Sequence, residues 1–157
     1  MINVLFVCLG NICRSPTAEG VFRDLVEREG LSDKISIDSA GIGRWHVGEP
    51  PDSRATSAAK LRGIDISLQR ARTVEQKDFR LFDYIVAMDQ KNHRELSLLC
   101  PVGQEERLHK FLQFASNLDI TDVPDPYYGG AKGFDDVLDM IEIASIGLLD
   151  DIRNRYL

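Results

Sequence analysis

The sequence predicts an α/β fold, a parallel sheet covered by helices on both faces. Three observations carry this expectation. Two short apolar runs, INVLFV at 2–7 and DYIVAM at 83–88, read as strands buried on both sides, as in parallel sheets. Helical patterns alternate with strand-like ones along the chain, the order of βαβ units. A length of 157 residues with 43% hydrophobic content suits one domain over 1–157. Such a chain buries roughly 70% of its unfolded surface.

The first strand, 2–7, is broken only by Asn3. Residues 16–30 read as a helix, with Ser15 as N-cap, Pro16 at the first helical position, Gly30 as the stop, and Val21, Leu25 and Val26 as its apolar stripe. Residues 34–39 alternate as a strand, and 51–63 read as a helix capped by Asp52 or Ser53. Thr73-x-x-Gln76 is a capping-box pattern for a short helix ending near Leu81. After the strand at 83–88 come a helix at 89–99 capped by Asp89 and a strand at 108–114. Residues 117–132, NLDITDVPDPYYGGAK, form a loop dense in turn residues. Residues 133–156 form a long amphipathic helix, with Phe134, Val137, Leu138, Ile141, Ala144 and Leu148 at helical spacing.

Charge and cysteine usage narrow the function classes. The net charge of −6 disfavours nucleic acid. Residues 1–80 carry 12 basic and 11 acidic side chains and residues 81–157 carry 7 and 14, so the first half suits an anionic ligand better. No apolar run approaches the ~18 residues of a membrane span. The N-terminal stretch MINVLFV lacks a basic leader, so cytoplasmic residence is expected, with no membrane partner. Three cysteines do not make a disulfide scaffold. Cys8 and Cys13 lack zinc spacing and Cys100 is remote, so no metal is expected. Cys100 reads as an inert core thiol, and His46, His93 and His109 as surface or helix residues.

The segment CLGNICR at 8–14 joins the first strand to the first helix. Main-chain N–H groups converge in such a loop and the helix N-terminus adds partial positive charge, which makes an anion site. Gly10 and Asn11 tolerate left-handed backbone. Arg14 can grip two oxygens of a tetrahedral oxyanion. Cys8 stands at the base of this cradle, where the same field favours a thiolate. One loop thus serves as a phosphate pocket and an activated nucleophile. A bare C-x5-R match is commonly chance; the buried strand before it and Ser-Pro after it raise its weight. The nucleotide P-loop is excluded, because Arg14-Ser15-Pro16 stands where it needs Gly-Lys-Ser/Thr. A phosphocysteine route also needs an acid and a base, and Asp125, in DPYYGG, is the candidate.

VCLGNICRSPTAEG and DPYYGG together resemble the low-molecular-weight protein tyrosine phosphatase family, as do DSAG at 38–41, VGEPPD at 47–52 and AMDQKN at 87–92. The resemblance covers essentially the whole chain. It implies a four-stranded parallel sheet flanked by helices, no metal and no cofactor. It implies Cys8 as nucleophile, Arg14 as holder of the phosphoryl oxygens, and Asp125 as acid and then base. It assigns Asn11, Ser15 and Ser39 to a network that shapes the loop, beside Gly10 of the cradle read above. It assigns Leu9, Ile12, Trp45, Tyr127 and Tyr128 to the rim that grips an aromatic leaving group. Cys13 matches a second cysteine that in many members forms a reversible disulfide with the nucleophile. Gln69 stands where many members carry a histidine joined to the network, so altered tuning is expected there.

The expected activity is hydrolysis of phosphotyrosine in proteins or peptides, and of aryl phosphates, with a bell-shaped, mildly acidic profile. The expected state is a monomer, with weak dimerisation left open. An arsenate reductase on the same scaffold, a protein-arginine phosphatase and a non-catalytic phosphotyrosine-binding module are the alternatives. The first needs further resolving thiols, the second a polar residue where Ile12 stands, and the third has no use for a nucleophile and an acid.

Overall fold

The computed structural model describes residues 1–127 and 129–157. Four strands, β1 (Ile2–Cys8), β2 (Ile35–Gly41), β3 (Tyr84–Ala87) and β4 (Leu108–Lys110), form one sheet in the order β2-β1-β3-β4, and every pairing is parallel. The helices are α1 (Arg14–Arg28), α2 (Ser53–Leu61), α3 (Asp78–Leu81), α4 (Gln90–Leu99) and α5 (Ala131–Tyr156). The strand order reverses direction at β1, so its carboxyl end opens into the crevice where such sheets bind ligands.

Alternation along β1 explains both cores. Val4, Phe6 and Cys8 face one side, where α1 and α5 pack with Phe22, Phe111, Leu138, Ile141 and Leu148. Leu5 and Val7 face the other, with Phe79, Ile85, Leu96 and Leu108. Phe6 meets Phe22 edge-on at 5.7 Å between ring centroids and Phe111 at 5.1 Å. Cys8 thus continues the buried row of Val4 and Phe6 up to the rim of the sheet.

Most element boundaries fall within two residues of the sequence expectation, and three of the differences change what side chains do. Helix α1 starts at Arg14, with Cys13 and not Ser15 at its N-cap. Ser15 lies inside the first turn, its hydroxyl committed to Cys8 and Asn11. Pro16 still falls within that first turn, where its missing N–H costs nothing. The expected stop holds: Gly30 takes φ of 70° and Leu31 N–H returns to the Val26 carbonyl.

Thr73 and Gln76 form no capping box. Thr73 bridges Gly41 and donates to the Gly43 carbonyl, Gln76 donates to the Leu99 carbonyl, and α3 begins only at Asp78. The strand expected at 108–114 ends at Lys110 and becomes a 3₁₀ turn, Phe111–Phe114. Phe111 and Leu112 are consecutive and both buried, which a one-sided edge strand cannot provide. Gln113 accepts from Lys110 N–H and closes the turn.

Helix α5 crosses that turn at Gly147. A Cβ there would lie 1.8 Å from the Phe114 carbonyl oxygen. Alanine ordinarily stabilises a helix interior by up to about 1 kcal/mol over glycine. Here the contact is backbone on both sides and cannot swing away, so Gly147→Ala is expected to destabilise by about 1–3 kcal/mol. A lower urea midpoint with an unchanged m-value checks this; an unchanged or raised midpoint contradicts it.

Candidate active site

The loop after β1 is shaped by where its polar groups go. The carbonyls of Cys8, Leu9, Ile12 and Cys13 accept from the N–H groups of Ile42, Gly43, Asp52 and Thr17. Among the described residues, the N–H groups of 9–15 donate to no backbone carbonyl. The loop therefore spends its acceptors outward and keeps its donors, next to the N-terminus of α1, the polarity of an anion cradle.

Asn11 takes φ of 58°, the left-handed conformation expected of it. Gly10 does not share it among the described residues; its lack of a side chain serves close approach, because a Cβ there would lie 3.0 Å from the His46 ring. The strain at Asn11 is held by three bonds. Its amide donates to Ser15 Oγ at 2.8 Å and to Ser39 Oγ at 3.0 Å, and its Oδ1 accepts from Arg72 N–H at 3.1 Å. Ser15 Oγ lies 3.0 Å from Cys8 Sγ.

Cys8 and Arg14, each 3% exposed, line a cavity of about 310 Å³ together with Asp125. Leu9, Gly10, Ile12, Cys13, Trp45 and Tyr127, all expected at the site, line it too. Trp45 is 70% exposed and lays its ring against Gly43, leaving a broad aromatic face at the mouth. Asn11, Ser15 and Ser39 stand behind the loop as the expected network. Tyr128 lies outside the described residues. Gln69 donates to the Pro16 carbonyl at 3.0 Å, reaching the α1 backbone rather than the hydroxyl network.

Arg14 is held by charges distant in sequence. Its Nη1 donates to Asp89 Oδ2 at 2.6 Å and to the Val123 carbonyl at 2.9 Å, and its Nη2 lies 3.7 Å from Asp125 Oδ2. Burial opposes its charge, but Cys8, Asp89 and Asp125 outweigh burial and raise its pKa. Burial pushes the Cys13 thiol far above the ordinary range, and the charges of Asp52, Cys8 and Asp125 push it the same way. Both thiols are free.

Three residues at the site escaped the sequence reading. Asp89 was expected only as a helix cap; it caps α4 through Asn92 N–H and also carries the ion pair to Arg14. Its signal was an acidic residue directly after a buried strand, at the ligand end of the sheet. His46, expected at the surface, lines the cavity and pairs with Glu49 at 2.7 Å. Glu19, 8% exposed, accepts from Ser39 Oγ at 2.7 Å and from Arg23 at 2.8 Å, extending the network behind the loop.

Burial pushes the Glu19 carboxyl above its ordinary 4.5, against the pull of Ser39 and Arg23. The folded chain therefore binds this proton better than the unfolded one. The resulting stability is complete below about pH 4.5 and lost as pH rises through the higher folded value. Glu19→Gln keeps the acceptor for Ser39 but cannot titrate. Its urea midpoint is expected to fall less than that of wild type between about pH 4.5 and 7; equally steep declines would exclude this role.

Comparison with known proteins agrees with this geometry. The sequence model described as Low molecular weight phosphotyrosine protein phosphatase matches residues 3–156. The chain belongs to that family. It is 44% identical over 155 residues to the low molecular weight protein-tyrosine-phosphatase YfkJ of Bacillus subtilis, covering 99% of this chain and 98% of the relative. It is 48% identical over 136 residues to the Schizosaccharomyces pombe family member, 86% of each chain. A crystal structure of protein tyrosine phosphatase from Entamoeba histolytica superposes with a TM-score of 0.96 at 41% identity, covering 100% of both chains. Members of the family are cysteine-dependent hydrolases. Among the described residues, no group of three or more His, Cys, Asp or Glu could hold a metal ion, and no helix is long and apolar enough to cross a membrane.

Proposed function

We propose that this chain hydrolyses phosphotyrosine in proteins and peptides through a phosphocysteine on Cys8. One observation carries the reading: Cys8, Arg14 and Asp125, 117 residues apart along the chain at the extremes, line a single cavity with an open donor loop beneath it. The phosphoryl group sits in the loop, two of its oxygens held by Arg14. The Cys8 sulfur attacks phosphorus opposite the phenolic oxygen; the S–P bond forms as the P–O bond breaks, and Asp125 gives its proton to the leaving phenolate. Water then attacks phosphorus, Asp125 takes a proton from it, the S–P bond breaks, and inorganic phosphate leaves with the thiolate restored.

The walls favour an aryl ester. Trp45 and Tyr127 flank the opening, so a ring fits between phosphate loop and mouth. Arsenate reduction is disfavoured, because Cys100 packs on the opposite face of the sheet from Cys8 and burial holds Cys13 neutral. A phosphoguanidinium finds an apolar wall at Ile12. Three free thiols suit a reducing, cytoplasmic setting. Rapid acid quench during turnover of p-nitrophenyl phosphate is expected to trap a phosphoryl adduct on the peptide carrying Cys8. An adduct elsewhere, or none during a demonstrated burst, overturns the reading.

A further inference from the structure

The segment bearing Asp125 is fastened on two sides. On one, Val123 is fully buried; its N–H donates to the Met88 carbonyl at 2.8 Å and its carbonyl accepts from Arg14. On the other stands Arg54, from the first turn of α2, which does not line the cavity. Its guanidinium carbon lies 5.4 Å from the Tyr127 ring centroid and 4.8 Å from that of Phe134, a residue of α5.

The same guanidinium is fixed in orientation. Nε donates to Asp52 Oδ1 at 3.1 Å and Nη2 to Oδ2 at 3.0 Å, a two-pronged grip. Asp52 is itself tied to the phosphate loop, its N–H donating to the Ile12 carbonyl at 2.8 Å. At the far end, Tyr127 N–H donates to Asp125 Oδ1 at 3.0 Å. A continuous path therefore runs from Ile12 through Asp52, Arg54 and Tyr127 to Asp125. We propose that Arg54 is a positioning residue that sets the height of Asp125 and Tyr127 over the Cys8 loop and thereby governs proton delivery to the leaving group.

This inference rests on the catalytic reading of Cys8 and Asp125 above. A purely structural role for Arg54 is separable from it. The bond that caps α2 runs from Arg54 main-chain N–H to Asp52 Oδ1 at 2.8 Å and survives any side-chain change. A displaced acid hurts an ester whose leaving group needs the proton more than one whose leaving group departs unaided.

The test compares kcat/KM of wild type, Arg54→Ala and Arg54→Lys on phenyl phosphate and p-nitrophenyl phosphate. Arg54→Ala is expected to lose roughly tenfold on phenyl phosphate and only about twofold on p-nitrophenyl phosphate. Arg54→Lys is expected to fall between, since its ammonium still faces the rings but lacks the fork. In an Asp125→Ala background, Arg54→Ala is expected to cost little more. Equal losses on both esters, or losses that add fully to Asp125→Ala, would overturn the proposal while wild-type activity left the catalytic reading standing. Wild-type inactivity on both esters would overturn both together.

Discussion

Replacing Cys8 by serine is expected to lower kcat on p-nitrophenyl phosphate by at least about 10⁴-fold, the scale on which removal of a nucleophile collapses a site that works as a unit. The substitution changes one atom. Ser15 Oγ, 3.0 Å from the sulfur, bonds a hydroxyl as readily. The donor loop, Arg14 and Asp89 keep their places, so the anion site survives while the nucleophile is lost: an alkyl hydroxyl does not ionise near neutral pH. The variant should therefore still bind a phosphotyrosine peptide in a calorimetric titration, with an affinity within about tenfold of the wild-type KM. Cys100→Ser is the control, since that thiol packs against the core on the other side of the sheet and should leave turnover unchanged. Retention of a tenth or more of wild-type kcat in Cys8→Ser would dismiss the sulfur as nucleophile.

Much of this arrangement was legible in the sequence, for a physical reason. Strands buried on both faces must be apolar throughout, so β1 and β3 announced themselves, and with them the place where the sheet opens. A loop with two thiols, a left-handed Asn11 and Arg14 is chemically costly to keep in a plain turn. Asp52 and Gly30 mark helix ends through bonds made within a few residues, which local pattern can show.

What stayed hidden depends on partners far along the chain. Ser15 reads both as a helix cap and as a partner of the sulfur; the seating of α1 on the sheet, which starts the helix at Arg14, removes the first role and leaves its hydroxyl on Cys8 and Asn11. The pair Arg14–Asp89 joins residues 75 apart, and Glu19 reads as an ordinary helical acid until Ser39, 20 residues on, is brought against it. Arg54 is the extreme case. In sequence it is one arginine in a polar helix, and only folding places two aromatic rings over it. Gln69 shows the converse: its alignment with the family histidine suggested the hydroxyl network, but its amide reaches the carbonyl of Pro16.

Asp125→Asn is expected to lower kcat/KM on a phosphotyrosine peptide by about 10²–10³-fold, within the span of a positioned general acid. Asparagine preserves the acceptor that Tyr127 N–H uses at 3.0 Å, so the loop keeps its fold and only the proton is lost. Arg14 gains no unpaired charge, because Asp89 at 2.6 Å remains its main partner. Phosphate affinity should hold or rise, since a carboxylate 3.7 Å from the guanidinium no longer competes with the anion. The two halves of the reaction then separate. With p-nitrophenyl phosphate the first step needs little acid and proceeds, while hydrolysis of phosphocysteine lacks its base. A burst of p-nitrophenolate close to one per chain should precede slow turnover. The carboxyl is thus tested in both roles at once: loss on the peptide reports the acid, and accumulation of the intermediate reports the base. If the variant keeps more than half of the wild-type kcat/KM on the peptide and shows no burst, proton transfer belongs to another group at the cavity, and His46, the imidazole on its wall, becomes the first residue to replace.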